Sequence, residues 1–401
     1  MAIPSRDIII LAVGQALSST VMSLLTSVSS LAGALHAPVP SLSTVPVTAT
    51  VLGTLVMVYP ASFIMGRLGR RGGFLFKAGV GVLGGVICVL GLAAANFAIL
   101  VAGTFLLGIF SAFSQYYRFA ALDAARTPDE RASAVATVTG AGVIGGIAGP
   151  FLGGSLADAA PALPYAGAFV ALSIVCILLA ASQALLSADL GRDPAVAATT
   201  GRPAAGVHMS ADFVRASAIC AVGFAVMTLT MNAAPLSLHH DGIAMHASTV
   251  VLQTHFTLMY LPSLFNTVLA GRLGVRGLVA AGIAANAAGC LLALATTPSL
   301  GLYVVELGLS GIGWNFMFNG GTLLLAGTYT PAEKTRAQGL NSLLVYGANV
   351  AASLSAGALM ASFDWRMINL VCEPLLLVAV MALLPRAGVG RDGSALRTDR
   401  P

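Results

Sequence analysis

The sequence predicts an all-α membrane protein whose twelve transmembrane helices form two pseudo-symmetric six-helix bundles. Three observations support this fold class. The 401-residue chain is 57% hydrophobic and only 9% charged, whereas soluble globular domains carry roughly 25% charged residues. Lipid must therefore be the solvent for most of its surface. Twelve long apolar runs follow one another along the chain, and a basic glycine-rich turn occurs twice, about half a chain apart, which indicates an internal duplication.

The twelve apolar runs set the expected helix and domain boundaries. A bilayer-spanning helix needs about 20 mostly apolar residues, and the runs that qualify are 8–33, 43–65, 74–94, 97–121, 134–156, 162–186, 212–235, 247–270, 277–296, 300–328, 336–360 and 366–385. The least hydrophobic interruption separates the sixth run from the seventh. We therefore expect an N-terminal bundle over 1–186, a linker over 187–211, a C-terminal bundle over 212–386 and a polar tail over 387–401.

The duplicated turn follows the second run of each half. Residues 66–72 read GRLGRRG and residues 271–277 read GRLGVRG, an offset of 205 residues (271 minus 66). A second pair of similar segments, TPDER at 127–131 and TPAEK at 330–334, is offset by 203 residues (330 minus 127). Both begin with Thr-Pro and place acidic residues where the first turn of a helix is expected. Two landmarks at nearly the same offset indicate two similar halves in parallel orientation.

The basic residues predict how the chain lies in the membrane. Twelve spans place most loop cations on one side, namely Arg67, Arg70, Arg71, Arg126, Arg131, Arg192, Arg202, Arg272, Arg276, Lys334 and Arg336, and only Arg366 on the other. The positive-inside rule then predicts a multi-pass protein of the cytoplasmic (inner) membrane with both termini cytoplasmic. The cations form no patch interleaved with aromatic residues, so nucleic acid is not an expected partner. The five cysteines stand singly in apolar runs, and neither a metal nor a cofactor is predicted.

Twelve helices in two sets of six, with a duplicated basic loop after the second helix, resemble the major facilitator superfamily. The family's loop motif matches here at Gly66, Arg71 and Gly73, but Arg70 stands at its acidic position. In the family that acid helps to hold the two halves together on the cytoplasmic side. The resemblance therefore implies that this latch is lost or has moved to another acid, such as Asp123.

A second motif lies in the fifth helix, where Gly145, Gly149-Pro150 and Gly153 match the family's antiporter pattern. The resemblance implies export by exchange. Small residues also let two helices approach closely, and proline bends a helix by removing a backbone hydrogen bond. Packing in a transporter of any direction is therefore the alternative interpretation.

Polar residues inside the spans are the candidates for solute binding, because such groups usually face a cavity or another helix. The resemblance places the cavity between helices 1, 4, 7 and 10, and the polar stripes agree with it. The candidate residues are Gln15, Ser19, Gln115, Arg118, Gln253, Trp314, Asn315, Asn319 and Tyr346. Arg118 could hold a substrate anion, pair with Asp123 or extend to the inner surface.

Three titratable residues are candidates for proton coupling. His255 is the one histidine well inside a predicted span, and a hydrogen-bonded packing role is its alternative. Glu306 lies half a turn out of phase with Asn315, so both face one cavity only if the glycines between them break the helix. Glu373, in the twelfth helix, has a structural partner as its alternative role.

These observations predict a secondary transporter, not an enzyme, that moves a small organic solute by alternating access. The mixture of Arg118, Trp314, Tyr116 and amide side chains suits an amphipathic or aromatic solute. Proton-coupled export by a monomer is the first expectation, and uptake of a nutrient such as a vitamin or organic anion is the alternative. A membrane-embedded sensor is a remote alternative. The sequence contains none of the motifs of nucleophilic, nucleotide-dependent or zinc-dependent catalysis.

Overall fold

The computed structural model describes residues 5–125, 128–188, 190, 209–295, 299–330 and 333–384. The regular structure in these ranges is helical, and thirteen α-helices are labelled in chain order. They are α1 (Arg6–His36), α2 (Val45–Ala93), α3 (Phe97–Ser114), α4 (Tyr117–Ala124), α5 (Pro128–Gly140), α6 (Gly142–Leu156), α7 (Ala166–Gln183), α8 (Ala211–His240), α9 (Met245–Tyr260), α10 (Asn266–Ala295), α11 (Leu300–Ala326), α12 (Lys334–Ser362) and α13 (Trp365–Leu383). Single 3-10 turns cover Pro40–Leu42 and Leu261–Leu264. Most of the predicted linker and the whole predicted tail lie outside the described residues.

The two copies of the basic turn form the same break in the helical backbone. Gly69 has φ 71° and ψ 175° inside α2, and Gly274 has φ 71° and ψ 161° inside α10. A left-handed φ is readily available only to glycine, which explains why both copies carry glycine at their fourth position. The break at Gly69 separates two expected spans within the 49-residue α2, and the break at Gly274 lies near the start of α10, between the eighth and ninth expected spans. The duplication read from the sequence is therefore also a structural repeat.

The helices account for the twelve expected spans, and the predicted fold class is confirmed. Ten helical stretches of the described chain are long and apolar enough to cross a bilayer. The other two expected spans correspond to α11 and to α9, which ends at Tyr260 before the second 3-10 turn. Two further spans are interrupted, the fourth between α3 and α4 and the fifth between α5 and α6.

Each half of the chain packs around its own apolar core. In the N-terminal half, Leu24, Phe110 and Phe169 are fully buried in clusters built only from residues of that half. In the C-terminal half, Val226 and Leu307 belong to a separate cluster built from residues 219–379. Lipid-facing side chains remain exposed on the outside, as expected when the bilayer is the solvent.

Small residues bring the helices of each half into close contact. A Cβ atom at Gly145, Gly149 or Gly153 of α6 would collide with α1, so these three glycines form the α1–α6 interface. The hydroxyl groups of Thr50 and Thr54 in α2 donate hydrogen bonds to carbonyl oxygens of α3, at 3.1 and 3.0 Å. Such hydroxyl-to-carbonyl bonds are a common means of joining helices in lipid.

The two halves are hydrogen-bonded to each other at one end of the molecule. We call the end that holds residues 66–73 and 271–277 the basic end, and the end that holds residues 37–44, 157–165 and 241–244 the far end. At the far end, Thr44, which directly precedes α2, donates a hydrogen bond to the carbonyl oxygen of Ser353 in α12, at 2.8 Å. Thr48 Oγ1 lies 2.7 Å from Ser353 Oγ. These contacts close the molecule at the far end.

Candidate functional site

The polar face predicted on the first helix lies at the junction of the two halves. Gln15 of α1 donates a hydrogen bond to Ser19 Oγ, one turn further on, at 3.0 Å. A Cβ built on Gly142 of α6 would lie 3.2 Å from Ser19 Oγ, 3.6 Å from Gln15 Nε2 and 3.8 Å from a ring carbon of Tyr260 in α9. Two predicted site residues, Gln15 and Ser19, therefore lie close to Tyr260 of the other half, with Gly142 between them. Tyr260 was not among the predicted site residues.

An aromatic cluster joins three helices of the C-terminal half. The Trp314 and Phe318 rings of α11 stack at 5.3 Å and 12°, and Phe224 of α8 lies edge-on to both, at 5.2 and 4.9 Å. Tyr346 of α12 is 6.1 Å from Phe224. All four rings are only half-buried, so each keeps exposed surface. Two predicted residues, Trp314 and Tyr346, are thus brought together by two phenylalanines that the sequence did not single out.

The indole nitrogen of Trp314 is a free donor within this cluster. Trp314 Nε1 is shielded from solvent, and no acceptor among the described residues lies within hydrogen-bonding distance of it. A buried donor without a partner is costly. A bound solute carrying a carbonyl or ring nitrogen could supply the missing acceptor.

The predicted amides have partners of their own. Gln253 of α9 donates a hydrogen bond to the Ile147 carbonyl oxygen of α6, at 2.8 Å, and so bridges the two halves. Asn315 is fully buried; its amide group donates to Met259 O at 2.8 Å and Ser263 Oγ at 2.6 Å. Its oxygen accepts from Asn266 at 2.8 Å.

Asn315 therefore holds the 3-10 turn after α9 against α11. A solute could use this side chain only by displacing one of these bonds. Asn319 donates to the Asn315 backbone oxygen at 2.8 Å, which leaves its own carbonyl oxygen for other contacts.

Two further predicted site residues lie at the break in the fourth helix. Gln115 lies between α3 and α4 and is exposed. Arg118 belongs to α4, but its side chain lies outside the described part of the structure.

A lysine that the sequence analysis missed lies directly behind this break. Lys77, in the second part of α2, is 0% exposed. Its ammonium group donates to Ser18 Oγ of α1 at 2.7 Å and to Ser114 Oγ of α3 at 2.8 Å. It also lies 4.3 and 4.7 Å from the ring centroids of Phe110 and Tyr117. The sequence alone could have identified this residue, because Lys77 is the one lysine inside a predicted span.

The three proton-coupling candidates lie within the C-terminal half. His255 is fully buried, and its Nδ1 is 2.7 Å from the Leu307 carbonyl oxygen. Glu306 is 1% exposed and accepts a hydrogen bond from Trp365 Nε1 at 2.8 Å. Its side chain faces α13. This is the arrangement expected if the helix is unbroken, because Glu306 and Asn315 then point in different directions. Glu373, half-buried in α13, has one carboxylate oxygen without a partner in the described chain.

The basic loop forms its ion pair inside the N-terminal half. Arg70 Nε lies 2.8 Å from Asp123 Oδ2, and the Arg70 amide donates to Leu190 O at 3.2 Å. The arginine at the acidic position is thus paired with the acid that the sequence suggested. In this conformation the pair joins two parts of one half. Gly66 and Gly73 flank the loop, and Gly73 packs against Met65.

A small cavity remains between the halves at the far end. Its volume is about 220 Å³, and its lining comes from both halves, including Ser27, Asp158, Tyr165, His239 and Thr249. Pockets that hold drug-sized ligands usually measure roughly 300–1,000 Å³, so this cavity suits a few water molecules better than a solute. No group of three or more His, Cys, Asp or Glu side chains in the described residues could hold a metal ion.

Comparison with known proteins gives consistent results. The family model described as "Major Facilitator Superfamily" matches residues 9–245 and 216–399. The chain is 34% identical over 382 residues to the riboflavin transporter RfnT of Brucella anthropi, an alignment that covers 95% of this chain and 96% of that protein.

Two solved structures show a similar fold. The nucleoside transporter NupG has a TM-score of 0.67 and 13% identity, with 93% of this chain and 98% of that chain covered. The human organic anion transporter MFSD10 has a TM-score of 0.65 and 16% identity, with 94% and 99% covered.

Proposed function

Because the chain belongs to the major facilitator superfamily, we propose that it carries riboflavin, or a flavin closely related to it, across the cytoplasmic membrane by alternating access. The observation that carries this proposal is the 34% identity to a riboflavin transporter over nearly the full length of both chains. The predicted class of solute, small and partly aromatic, agrees with it.

The aromatic cluster supplies the chemistry that a flavin requires. An isoalloxazine ring is planar and aromatic, and it binds well to side chains that stack on it or meet its edge. Trp314, Phe318 and Phe224 already adopt stacked and edge-on geometries with one another. The unpartnered Trp314 Nε1 can donate to a ring carbonyl group. Trp314 is therefore the residue we assign to the flavin ring.

The polar junction near α1 suits the ribityl chain. Its hydroxyl groups both donate and accept hydrogen bonds, as do the side chains of Gln15 and Ser19. In this conformation these two side chains bond to each other and would exchange that bond for bonds to the solute. Gln115, exposed at the break in the fourth helix, is a further candidate for the same hydroxyl groups.

Uptake is the direction that we propose. The relative's named substrate is a vitamin, and a vitamin is a solute that a cell gains by importing. The glycine motif of α6 favoured export by resemblance, but Gly145, Gly149 and Gly153 are accounted for by their contacts with α1. Export remains the second candidate on the strength of that motif alone.

A strain that cannot synthesise riboflavin tests the proposal directly. Expression of the chain should restore growth at low external riboflavin and should give saturable uptake of radiolabelled riboflavin that unlabelled riboflavin inhibits. Inverted vesicles separate the two directions, because export would appear there as accumulation driven by the proton gradient. Absence of riboflavin movement in both cells and inverted vesicles, with the protein present in the membrane, would overturn the flavin assignment.

A further inference from the structure

We propose that Lys77 is the proton-binding group of this transporter, taking up one proton when the far end is open and releasing it when the far end is closed. The proposal rests on the transport function proposed above. It concerns a residue of the N-terminal half, whereas His255, Glu306 and Glu373 all belong to the C-terminal half.

The surroundings of Lys77 are neutral on every side that the structure describes. Ser18 faces it from α1, Phe110 and Ser114 from α3, Tyr117 from α4 and Cys176 from α7. No carboxylate of the described chain lies within ion-pair distance of its nitrogen. The titratable groups among these neighbours, a phenol and a thiol, carry no charge at neutral pH. An ammonium ion sealed here has lost its hydration without gaining an anion, which is costly.

The serine hydroxyls make both forms of the lysine possible. Ser18 Oγ donates its own proton to the Gly14 carbonyl oxygen at 2.7 Å and accepts from the ammonium group. Ser114 Oγ can accept from an ammonium group or donate to the lone pair of an amine. Ser114 is the last residue of α3, so the negative end of that helix dipole partly stabilises the charged form. The site can therefore hold a proton without holding it permanently, as a coupling site must.

The choice of lysine is itself informative in this chain. The twenty basic residues comprise eighteen arginines and two lysines, Lys77 and Lys334. An arginine keeps its charge at any accessible pH, whereas a buried lysine can lose its proton. The chain thus uses arginine almost throughout and places a lysine at this sealed intramembrane position.

The position of Lys77 links its charge to the moving parts. Its two hydroxyl partners lie on α1 and at the break between α3 and α4, next to Gln15, Ser19 and Gln115. Both partners lie in the same half as Lys77, so rocking of the halves alone leaves these bonds intact. The proton is bound when α1 or the fourth helix shifts within the N-terminal half as the far end opens, and water then reaches the amine, whose lone pair takes up the proton. On the return, the N–H bond breaks and the proton leaves to water at the basic end before the site is sealed as it is in this structure. One proton then accompanies each solute inward.

Two lysine variants test this role in proteoliposomes, with riboflavin as the transported probe. Lys77→Arg keeps the charge but cannot release it, and Lys77→Met removes the charge. We expect both to lose accumulation driven by a pH gradient by about ten-fold or more, while riboflavin counterflow exchange stays within about three-fold of wild type. A purely structural lysine would lower both activities together. Lys334→Arg is the matched control and should retain both. Wild-type accumulation in Lys77→Arg would overturn the proposal.

Lysine-selective NMR gives a second test that needs no transported solute. In the full-length Lys334→Arg protein labelled with [13Cε]lysine, one signal remains, and it belongs to Lys77. We expect this signal to move between its amine and ammonium positions as pH is varied across the range in which transport depends on pH. A signal fixed at either position overturns the proposal, whether or not the variants above fold. If wild-type protein fails to transport riboflavin, the flavin assignment fails, while this signal still decides the role of Lys77.

Discussion

At the residue scale, neighbouring side chains on one helix serve different purposes. Trp314 joins the aromatic cluster with an unpartnered donor, whereas Asn315, turned by about 100°, has all of its hydrogen-bonding groups occupied. The sequence identified both as candidates because tryptophan and asparagine are unusual inside a span. It could not show which of the two has free hydrogen-bonding groups. The 3-10 turn at Leu261–Leu264, which lies against Asn315, is not distinguished from its neighbours by hydropathy. Phe224 and Phe318 were missed because phenylalanine is also an ordinary lipid-facing residue.

Replacement of Trp314 should weaken flavin binding. We expect Trp314→Ala to reduce riboflavin affinity by about ten-fold or more and Trp314→Phe to reduce it less, because phenylalanine keeps the stacking surface but lacks the N–H donor. The chain contains two tryptophans, so a Trp365→Phe protein reports on Trp314 alone. Quenching of its fluorescence by riboflavin measures the affinity. Unchanged transport kinetics in Trp314→Ala would place the ring elsewhere.

Replacement of Glu306 tests whether this buried acid is structural. Glu306→Gln keeps an acceptor for Trp365 Nε1, so we expect thermal stability near wild type and an unaltered dependence of transport on the pH gradient. Glu306→Leu leaves the indole donor unpaired and should cost about 1–3 kcal/mol of stability, seen as a lower Tm in detergent. Loss of pH-driven accumulation in Glu306→Gln would instead show that the proton-binding group lies in the C-terminal half.

At the scale of helices, breaks within the membrane spans determine where the candidate site residues lie. The fourth span breaks beside Lys77, the fifth breaks before Gly142, and a 3-10 turn after α9 is held by Asn315. The sequence located the spans themselves well, because their length and apolar character are set by the bilayer. It did not locate these breaks, since tertiary hydrogen bonds decide where a long apolar helix is interrupted. The exception is the repeated basic turn, where the conserved spacing of two sequence copies pointed to a structural feature.

The glycines of α6 provide a prediction at this scale. Gly149→Ala should destabilise the protein by about 1–3 kcal/mol, because the new methyl group meets α1 atoms that cannot easily withdraw. Gly347→Ala, in α12, meets nothing within 4 Å and should be neutral or slightly stabilising. Melting temperatures of the two purified variants make the comparison. A Gly149→Ala protein of full stability that fails only in exchange would favour the antiporter interpretation.

At the scale of the molecule, two bundles with separate cores meet through a few polar contacts and through apolar packing such as that of Gly146 against Phe256. The sequence predicted the two halves from the internal repeat and the class of solute from the residues in the spans. It did not predict which end would be closed, because a sequence that supports alternating access must stabilise both conformations. Cytoplasmic termini remain a prediction from the loop charges. With that orientation, the present conformation is closed toward the outside.

Ser353 provides the prediction for the whole molecule. Its hydroxyl group contacts Thr48 across the halves and accepts a hydrogen bond from Asn232. The Asn232 bond lies within the C-terminal half, so Ser353→Ala removes one bond between the halves. That bond is worth about 0.6 kcal/mol in membranes, and its loss should shift the equilibrium toward an open far end by about three-fold. Spin labels on the two halves at the far end should report a larger population of long distances. An unchanged distance distribution would show that these bonds do not determine the closure.

The chemistry of the far-end closure has a consequence for how transport responds to its surroundings. Thr44, Thr48 and Ser353 are hydroxyl residues without charge, so neither ionic strength nor membrane voltage acts on the bonds between them. The contribution of these bonds to closure should be the same in fresh water and in brine, and in energised and de-energised cells. Voltage sensitivity of the transport cycle must then come from other charges, such as those that move with the solute or with a proton.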